Sequence, residues 1–344
     1  MRAFLTGLYG NDSTRARIGS SILNGCMPHA FIIDGYDGSG KLTLATEIAA
    51  ALNCENKHND NTSLPCRSCP TCQKILKMGH VDVQLILRED GKQIMSVDKA
   101  RYIRRDMFMS PTEAEYKVYI MRDAERMNVE AQNALLIALE EPPPNVVIIL
   151  LCSGTDKILT TIKSRAQYIA MERFSPEDID GYLKKNMPEA RGIELSDKDG
   201  YSLALMGADG RIGLAKKLVM PKERAELISK REDTLTILRA TSGASYTELM
   251  EAISLLPTDR FGLSLALEDL MVALRDMIAI YYSEDVELSF FLSYDEASEL
   301  AYRIGKSRLY KLYDIILASH DDLSKNANVN ALVSLLLAKI KTVN

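Results

Sequence analysis

Two clusters in this sequence have residue types and spacings that could do chemistry. The first is Gly35-Tyr36-Asp37-Gly38-Ser39-Gly40-Lys41. It follows an apolar run, Ala30-Phe31-Ile32-Ile33, and opens a helical pattern with Leu44, Ala45, Ile48, Ala49 and Leu52 as its apolar positions. In a strand–turn–helix of this kind, backbone N–H groups converge on phosphate oxygens and the helix N-terminus adds a favourable dipole. Gly35, Gly38 and Gly40 are the candidate cradle, and Lys41 is placed to reach the β/γ-phosphates of ATP or ADP. The competing reading is an ordinary βα turn. A working site follows the lysine with Ser or Thr, whose hydroxyl holds Mg²⁺. Here the residue is Leu42; Thr43 comes one position late, rotated by about 100° on a helix. Such a loop can hold phosphate, but it lacks a metal ligand.

The second cluster is Cys54 followed by Cys66-Arg67-Ser68-Cys69-Pro70-Thr71-Cys72. Four thiolates are the ligand count of a closed, structural tetrahedral Zn²⁺ site, and the knuckle holds no Asp or Glu that could act as a base beside an open metal position. His58 in place of Cys54 as the fourth ligand, or a loop of free thiols, are the alternatives. A DNA-touching knuckle would rest on Arg67 alone.

A third stretch matters for what it lacks. Tyr116-Lys117-Val118-Tyr119-Ile120-Met121 reads as a strand, and a nucleotide hydrolase ends it with two acids, one for Mg²⁺ and one for the attacking water. This strand ends Arg122-Asp123. The arginine puts like charge beside a metal site, and the aspartate carboxylate sits about 1.5 Å short of a glutamate's, one C–C bond. Arg101, Arg104 and Arg105 share a preceding helix and read as a solvated face or a basic surface. That helix is entered from a loop over 91–98 in which Ser96 is a cap.

The elements that must position these residues follow from periodicity. Residues 83–87, 146–151 and 168–171 are three further strands, and the continuous apolar run at 146–151 suits a buried parallel strand. Between them, Asn133 to Pro143 is a helix with Leu135, Leu136 and Leu139 on one face, stopped by Pro142-Pro143. Five strands alternating with helices predict an α/β module over 1–173, a five-stranded parallel sheet with flanking helices, with the zinc knuckle inserted at 54–72. Ser175 and Pro176 then read as N-cap and first helical residue of a small helical lid over 174–220. Residues 221–344 read as helical throughout, with 261–282 the longest segment and 331–340 the last. The chain has no run of about 18 apolar residues, so no membrane span is expected. Its net charge of −5 argues against a general DNA-coating role. Clustered cysteines behind an N-terminus without a signal-peptide pattern point to metal rather than disulfides, and to a soluble cytoplasmic protein.

In combination these features resemble a bacterial clamp-loader subunit of the AAA+ class. The resemblance is carried by His29-Ala30-Phe31 before the loop, the inserted cysteine knuckle, Asn133-Ala134-Leu135-Leu136-Ile137-Ala138-Leu139-Glu140-Glu141-Pro142-Pro143, and Ser164-Arg165. It covers residues 1 to about 220 well and the helical remainder loosely. It implies an AAA+ module, a lid and an all-α collar that packs in a ring. The family has an ATP-hydrolysing motor type (gamma/tau) and a delta-prime type. The motor has Thr or Ser where Leu42 stands, Asp-Glu where Arg122-Asp123 stands, and a γ-phosphate-sensing arginine where Gly213 stands. Arg211, two residues away, is not credited with that role. Three losses at one site imply the delta-prime type, a non-hydrolysing stator and a component of the DNA polymerase III holoenzyme without an ATPase of its own. An active or weakly active motor is the alternative. The implied partners are the gamma/tau motors and the delta subunit in a hetero-pentamer, with the sliding clamp and primed DNA met through the assembly. Ser164-Arg165, with Ala166 in place of the motif's cysteine, matches the arginine finger that acts in trans on a neighbour's ATP. A strand-edge arginine paired with a local carboxylate is the competing reading.

Overall fold

Seven consecutive buried residues, Val146–Cys152, form the strand around which the first unit is built. Val, Ile and Leu in unbroken sequence suit a parallel strand covered on both faces. In the computed structural model, which describes residues 2–87, 97–243, 245–283, 285–325 and 327–343, this strand is β4. The others are β1 (Ala30–Asp34), β2 (Val83–Ile86), β3 (Lys117–Met121) and β5 (Gln167–Ala170). All pairings are parallel, in the order β2-β3-β4-β1-β5. The helices of this part are α1 (Asp12–Leu23), α2 (Lys41–Leu52), α3 (Pro70–Leu76), α4 (Val97–Asp106), α5 (Val129–Glu140) and α6 (Thr160–Lys163). The loop over 91–96, including the Ser96 cap, lies outside the described residues.

Order and register place the C-terminal end of β1 between those of β4 and β5, with Asp34 opposite Cys152 and Ala170. The crevice beyond the carboxyl ends of strands is where open α/β sheets bind ligands. The glycine-rich turn therefore opens at the position the topology favours. α2 behind it is buried at every residue from Leu44 to Leu52. That explains its Ala-rich sequence, because small side chains let it pack on all sides.

Asp82, 2% exposed, braces the approach to β3. Its carboxylate accepts the backbone N–H groups of Thr112, Glu113 and Ala114 at 2.8, 2.8 and 2.9 Å. Burial opposes the charge, but these three donors outweigh it and hold the carboxyl below its ordinary value. The stability it contributes is complete above the unfolded pKa of about 3.9 and is lost as pH falls through the depressed folded value. We expect Asp82→Asn to cost about 1.5–3 kcal/mol near neutrality, the worth of hydrogen bonds to a charged group. Urea midpoints should show the gap from wild type closing below pH about 4. A gap independent of pH would assign the effect to shape rather than charge.

Met1–Phe174 and Gly210–Leu214 form one compact unit, and Ser175–Asp209 with Ala215–Asn344 form the other. The helices of the remainder are α7 (Pro176–Asn186), α8 (Glu189–Ser196), α9 (Lys198–Gly207), α10 (Ile212–Leu218), α11 (Pro221–Ala240), α12 (Tyr246–Ile253), α13 (Arg260–Ile280), α14 (Tyr294–Ile304), α15 (Lys306–Ser324) and α16 (Val329–Val343). Ser175 caps α7 by accepting the Asp178 N–H, with Pro176 in its first turn. The core of the second unit is leucine-rich, drawn from α11 to α16, with Leu263, Leu267, Leu270 and Leu274 of α13 at its centre. Among the described residues no helix is long and apolar enough to cross a membrane.

Candidate nucleotide, metal and arginine sites

Gly38 and Gly40 adopt φ of +85° and +94°, a left-handed conformation that costs glycine nothing and other residues strain. Lys41 then opens α2. Its ammonium donates to the carbonyl oxygen of Gly35, to that of Cys152 at 3.0 Å and to Ser153 Oγ at 2.8 Å. An ammonium has three donors, so the chain itself uses all of them. A second closure comes from Gly210–Leu214. The Gly213 N–H donates to the Gly38 carbonyl at 2.9 Å, and the Phe174 N–H donates to the Gly210 carbonyl at 3.0 Å. A Cβ on Gly213 would stand 2.8 Å from both Cα and O of Gly38. At the position where the resemblance implies a sensing arginine, no side chain fits unless backbone moves.

Beside the loop is a cavity of about 200 Å³ lined by Asp34, Tyr36, Ser39, Ser153, Arg173 and Arg211 among others. The guanidinium groups of Arg173 and Arg211 lie 5.1 and 5.8 Å from the Tyr36 ring centroid. Arg211, discounted on helical spacing, is thus held next to the phosphate-type loop, because it precedes α10 and is not bound by that helix's geometry.

The acidic groups are not where a hydrolase has them. Leu42 is half-buried against the apolar core, and Thr43 is exposed on the first turn of α2. Arg122 is exposed beyond β3, and Asp123 takes a left-handed φ of +54° before a short 3₁₀ turn, Ala124–Arg126. Sequence reasoning missed Glu125 in that turn. Its Oε2 is buried and has no hydrogen-bond partner among the described residues. Burial, then the charges of Asp34 and Glu125, push the Cys152 thiol up to about 12, while Lys41 pulls the other way. Asp34 itself accepts the Gly154 N–H and the Tyr168 hydroxyl, both at 2.8 Å. Asp34, Glu125 and Lys41 thus all act on the Cys152 thiol. The only sequence signal for Glu125 was an acid two residues past the expected pair.

The four cysteines converge. The Sγ atoms of Cys54, Cys66, Cys69 and Cys72 all lie within 4.8 Å of one another, and Cys54, Cys69 and Cys72 are buried. Four thiolates at Zn–S distances of about 2.3 Å would need S···S separations of roughly 3.8 Å, so the cluster is of the right size for a metal ion. The set includes Cys54, not His58. Burial pushes the thiols of Cys54 and Cys72 up. Burial also opposes ionisation of Cys66, but donors from Ser68, Asn56 and the Cys69 backbone bring it down to about 5. A divalent cation would supply the compensation the buried thiolates lack.

The knuckle is also tied to α2. Glu47, 1% exposed in the middle of that helix, is ion-paired with Arg67 and accepts the Gly7 N–H at 3.2 Å. One buried carboxylate thus joins the N-terminal segment, the helix behind the loop and the cysteine knuckle.

Arg165 follows α6 and Ser164. Its Nη1 donates to the Thr161 carbonyl at 3.0 Å, and its Nη2 pairs with Glu140 at 3.0 Å. Glu140 is the last residue of α5, which stops at Glu141-Pro142-Pro143. The two most specific motifs of the sequence thus meet at one ion pair, with Arg165 37% exposed and available to solvent.

Residues 10–175 match the protein family described as "DNA polymerase III, delta subunit". DNA polymerase III subunit delta' of Bacillus subtilis is 24% identical over 324 residues, which are 94% of this chain and 93% of that protein. This chain is similar to clamp-loader subunits of DNA polymerase III. Other clamp-loader relatives carry the gamma and tau names. The tau subunit of B. subtilis is 27% identical over 331 residues, 91% of this chain and 57% of that protein. The gamma subunit of Buchnera aphidicola from Acyrthosiphon pisum is 33% identical over 200 residues, 58% of this chain and 53% of that protein. The chain spans little more than half the length of these two. The chain is similar to both subunit types, so what separates them must come from the residues of the site.

Proposed function

We propose that this chain is a delta-prime-like stator of a DNA polymerase III clamp loader. It hydrolyses no ATP, holds structural Zn²⁺ on Cys54, Cys66, Cys69 and Cys72, and supplies Arg165, steadied by Ser164, to the ATP site of a neighbouring gamma/tau subunit. The delta subunit completes the hetero-pentamer, and sliding clamp and primed DNA are met through that assembly.

The observation that carries this reading is the closure of the loop on its own chain. Lys41 directs its three donors to Gly35, Cys152 and Ser153, and the Gly213 backbone rests on Gly38. Leu42 supplies no Mg²⁺ ligand, and Arg122 adds positive charge where a metal needs an acid. Phosphoryl transfer is almost entirely positioning and charge stabilisation, so losing these parts together leaves little to catalyse it. The motor reading keeps one point in its favour, the complete Gly38-Ser39-Gly40-Lys41.

Turnover of Mg-ATP by the purified chain, measured beside Lys41→Ala, separates the two. We expect no turnover above background and no change on losing Lys41. Turnover that Lys41→Ala abolishes would make the chain a motor with an unusual Mg²⁺ site.

A further inference from the structure

The second unit carries an aromatic cluster that nothing described so far uses. Tyr281 and Tyr282 follow the end of α13, Tyr302 lies in the last turn of α14, and Lys306 and Tyr310 lie at the start of α15. The rings of Tyr281 and Tyr302 meet edge to face at 5.3 Å. The Lys306 ammonium stands 4.1 Å from the Tyr282 centroid and 5.8 Å from that of Tyr281. The hydroxyls of Tyr282 and Tyr310 are hydrogen-bonded. Despite these contacts the rings stay in solvent: Tyr282 is 66% exposed, Tyr302 60% and Tyr310 39%. Folding alone gains little from aromatic faces left in water.

The chain around them is locally basic. Residues 300–313 hold Arg303, Lys306, Arg308 and Lys311 and no carboxylate, in a protein of net charge −5. Glu299 neutralises Arg303 at 3.1 Å. Among the described residues no carboxylate lies within ion-pair distance of Lys306, Arg308 or Lys311, and the exposed acids Asp285 and Glu287 follow on the loop after α13. α15 is preceded by Gly305, which offers no side-chain cap and leaves first-turn N–H groups beside Lys306.

We propose that this cluster is a binding surface for single-stranded nucleic acid. Bases stack on the open faces of Tyr282 and Tyr302, and phosphates are met by Lys306 and the uncapped start of α15. Exposed aromatic platforms interleaved with cations suit that ligand, since every base has a π-face and every linkage a negative charge. A protein partner fits less well, because cores of protein interfaces are depleted in lysine and here a lysine sits between the rings. The proposal is independent of the reading of Lys41 and Arg165.

The test is fluorescence anisotropy of a labelled oligo(dT) with the full chain, against a duplex of the same length. We expect saturable binding that weakens as salt is raised from about 50 to 200 mM, with the duplex bound more weakly. Tyr282→Ala and Tyr302→Ala should each raise the Kd about tenfold, ~1.4 kcal/mol for a lost stack. Lys306→Gln should lower the salt slope by about one. Circular dichroism confirms that each variant is folded, as expected for exposed side chains. No binding, binding indifferent to the tyrosines, or equal affinity for duplex would overturn the proposal. So would variants that leave oligo(dT) binding intact while weakening association with other subunits, which would make the surface a protein interface.

Discussion

Replacing Arg165 by alanine should abolish ATP turnover at the one neighbouring site it serves, a loss of about 10³-fold or more at that site, in a loader reconstituted with its motor subunits. An arginine finger places a permanent planar cation against charge developing on the γ-phosphate, and such residues contribute roughly 10³–10⁵ in rate. Arg165→Lys should not restore it, because an ammonium cannot reproduce the guanidinium fork. Glu140 holds the guanidinium at 3.0 Å, yet both side chains are partly exposed, and exposed pairs contribute at most about 1 kcal/mol. In the proposed role a neighbour's triphosphate would outcompete Glu140 easily, and Glu140→Gln should change turnover by only a few fold. Neither change should alter the chain's own thermal midpoint by more than a degree or two. Single-turnover hydrolysis in the assembled loader is the measurement. Unchanged rates with Arg165→Ala would leave this arginine as a surface ion-pair partner and nothing more.

Removing the proposed Zn²⁺ is the second large effect expected. Structural Zn²⁺ is worth apparent values of about 10–16 kcal/mol in small finger peptides, as much as the whole stability of a typical domain. Cys72 is fully buried in the core that also contains Leu44, Ile48 and Leu52 of α2. Losing the ion would also loosen Arg67, the ion-pair partner of the buried Glu47. We expect about one Zn²⁺ per chain, a thermal midpoint that drops by many degrees with chelator, recovery on adding Zn²⁺, and the same loss in Cys72→Ser. Cys26→Ser, at an exposed cysteine outside the cluster, is the control and should do nothing. A chain purified without metal whose midpoint ignores chelator would refute the assignment.

What could be read from the sequence was whatever is local. Apolar runs located all five strands to within a residue or so, because burial on both faces leaves an unbroken Val/Ile/Leu signature such as Val146–Cys152. The glycine turn and Lys41 were legible because their conformations are set by their own residue types. The cysteines were legible because ligand spacing is a short-range pattern. What stayed hidden depends on backbone returning from far away. The stretch around Gly213 was read for the arginine it lacks; only the structure shows that the lack of a Cβ lets backbone rest on Gly38, 175 residues earlier. Glu125 was missed because it lies in a turn after the strand, not at the strand's end. Pairing of Arg165 with a local carboxylate was the competing reading, and the structure shows such a pair; its partner, Glu140, could not be named because charge partners between a helix terminus and a strand edge leave no periodic trace.

The approach of Gly213 to Gly38 also bears on how such a chain could change over time. Putting Thr at 42 and Asp at 122 would restore a metal ligand and an acid, each a modest substitution. Restoring an arginine at 213 is different in kind, since even its first carbon would stand 2.8 Å from the Gly38 backbone. The segment would have to lift off the loop before the new side chain could be accommodated. The contact therefore sets an order of change: side chains at 42 and 122 can be exchanged with this backbone in place, whereas any side chain at 213 needs it to move first.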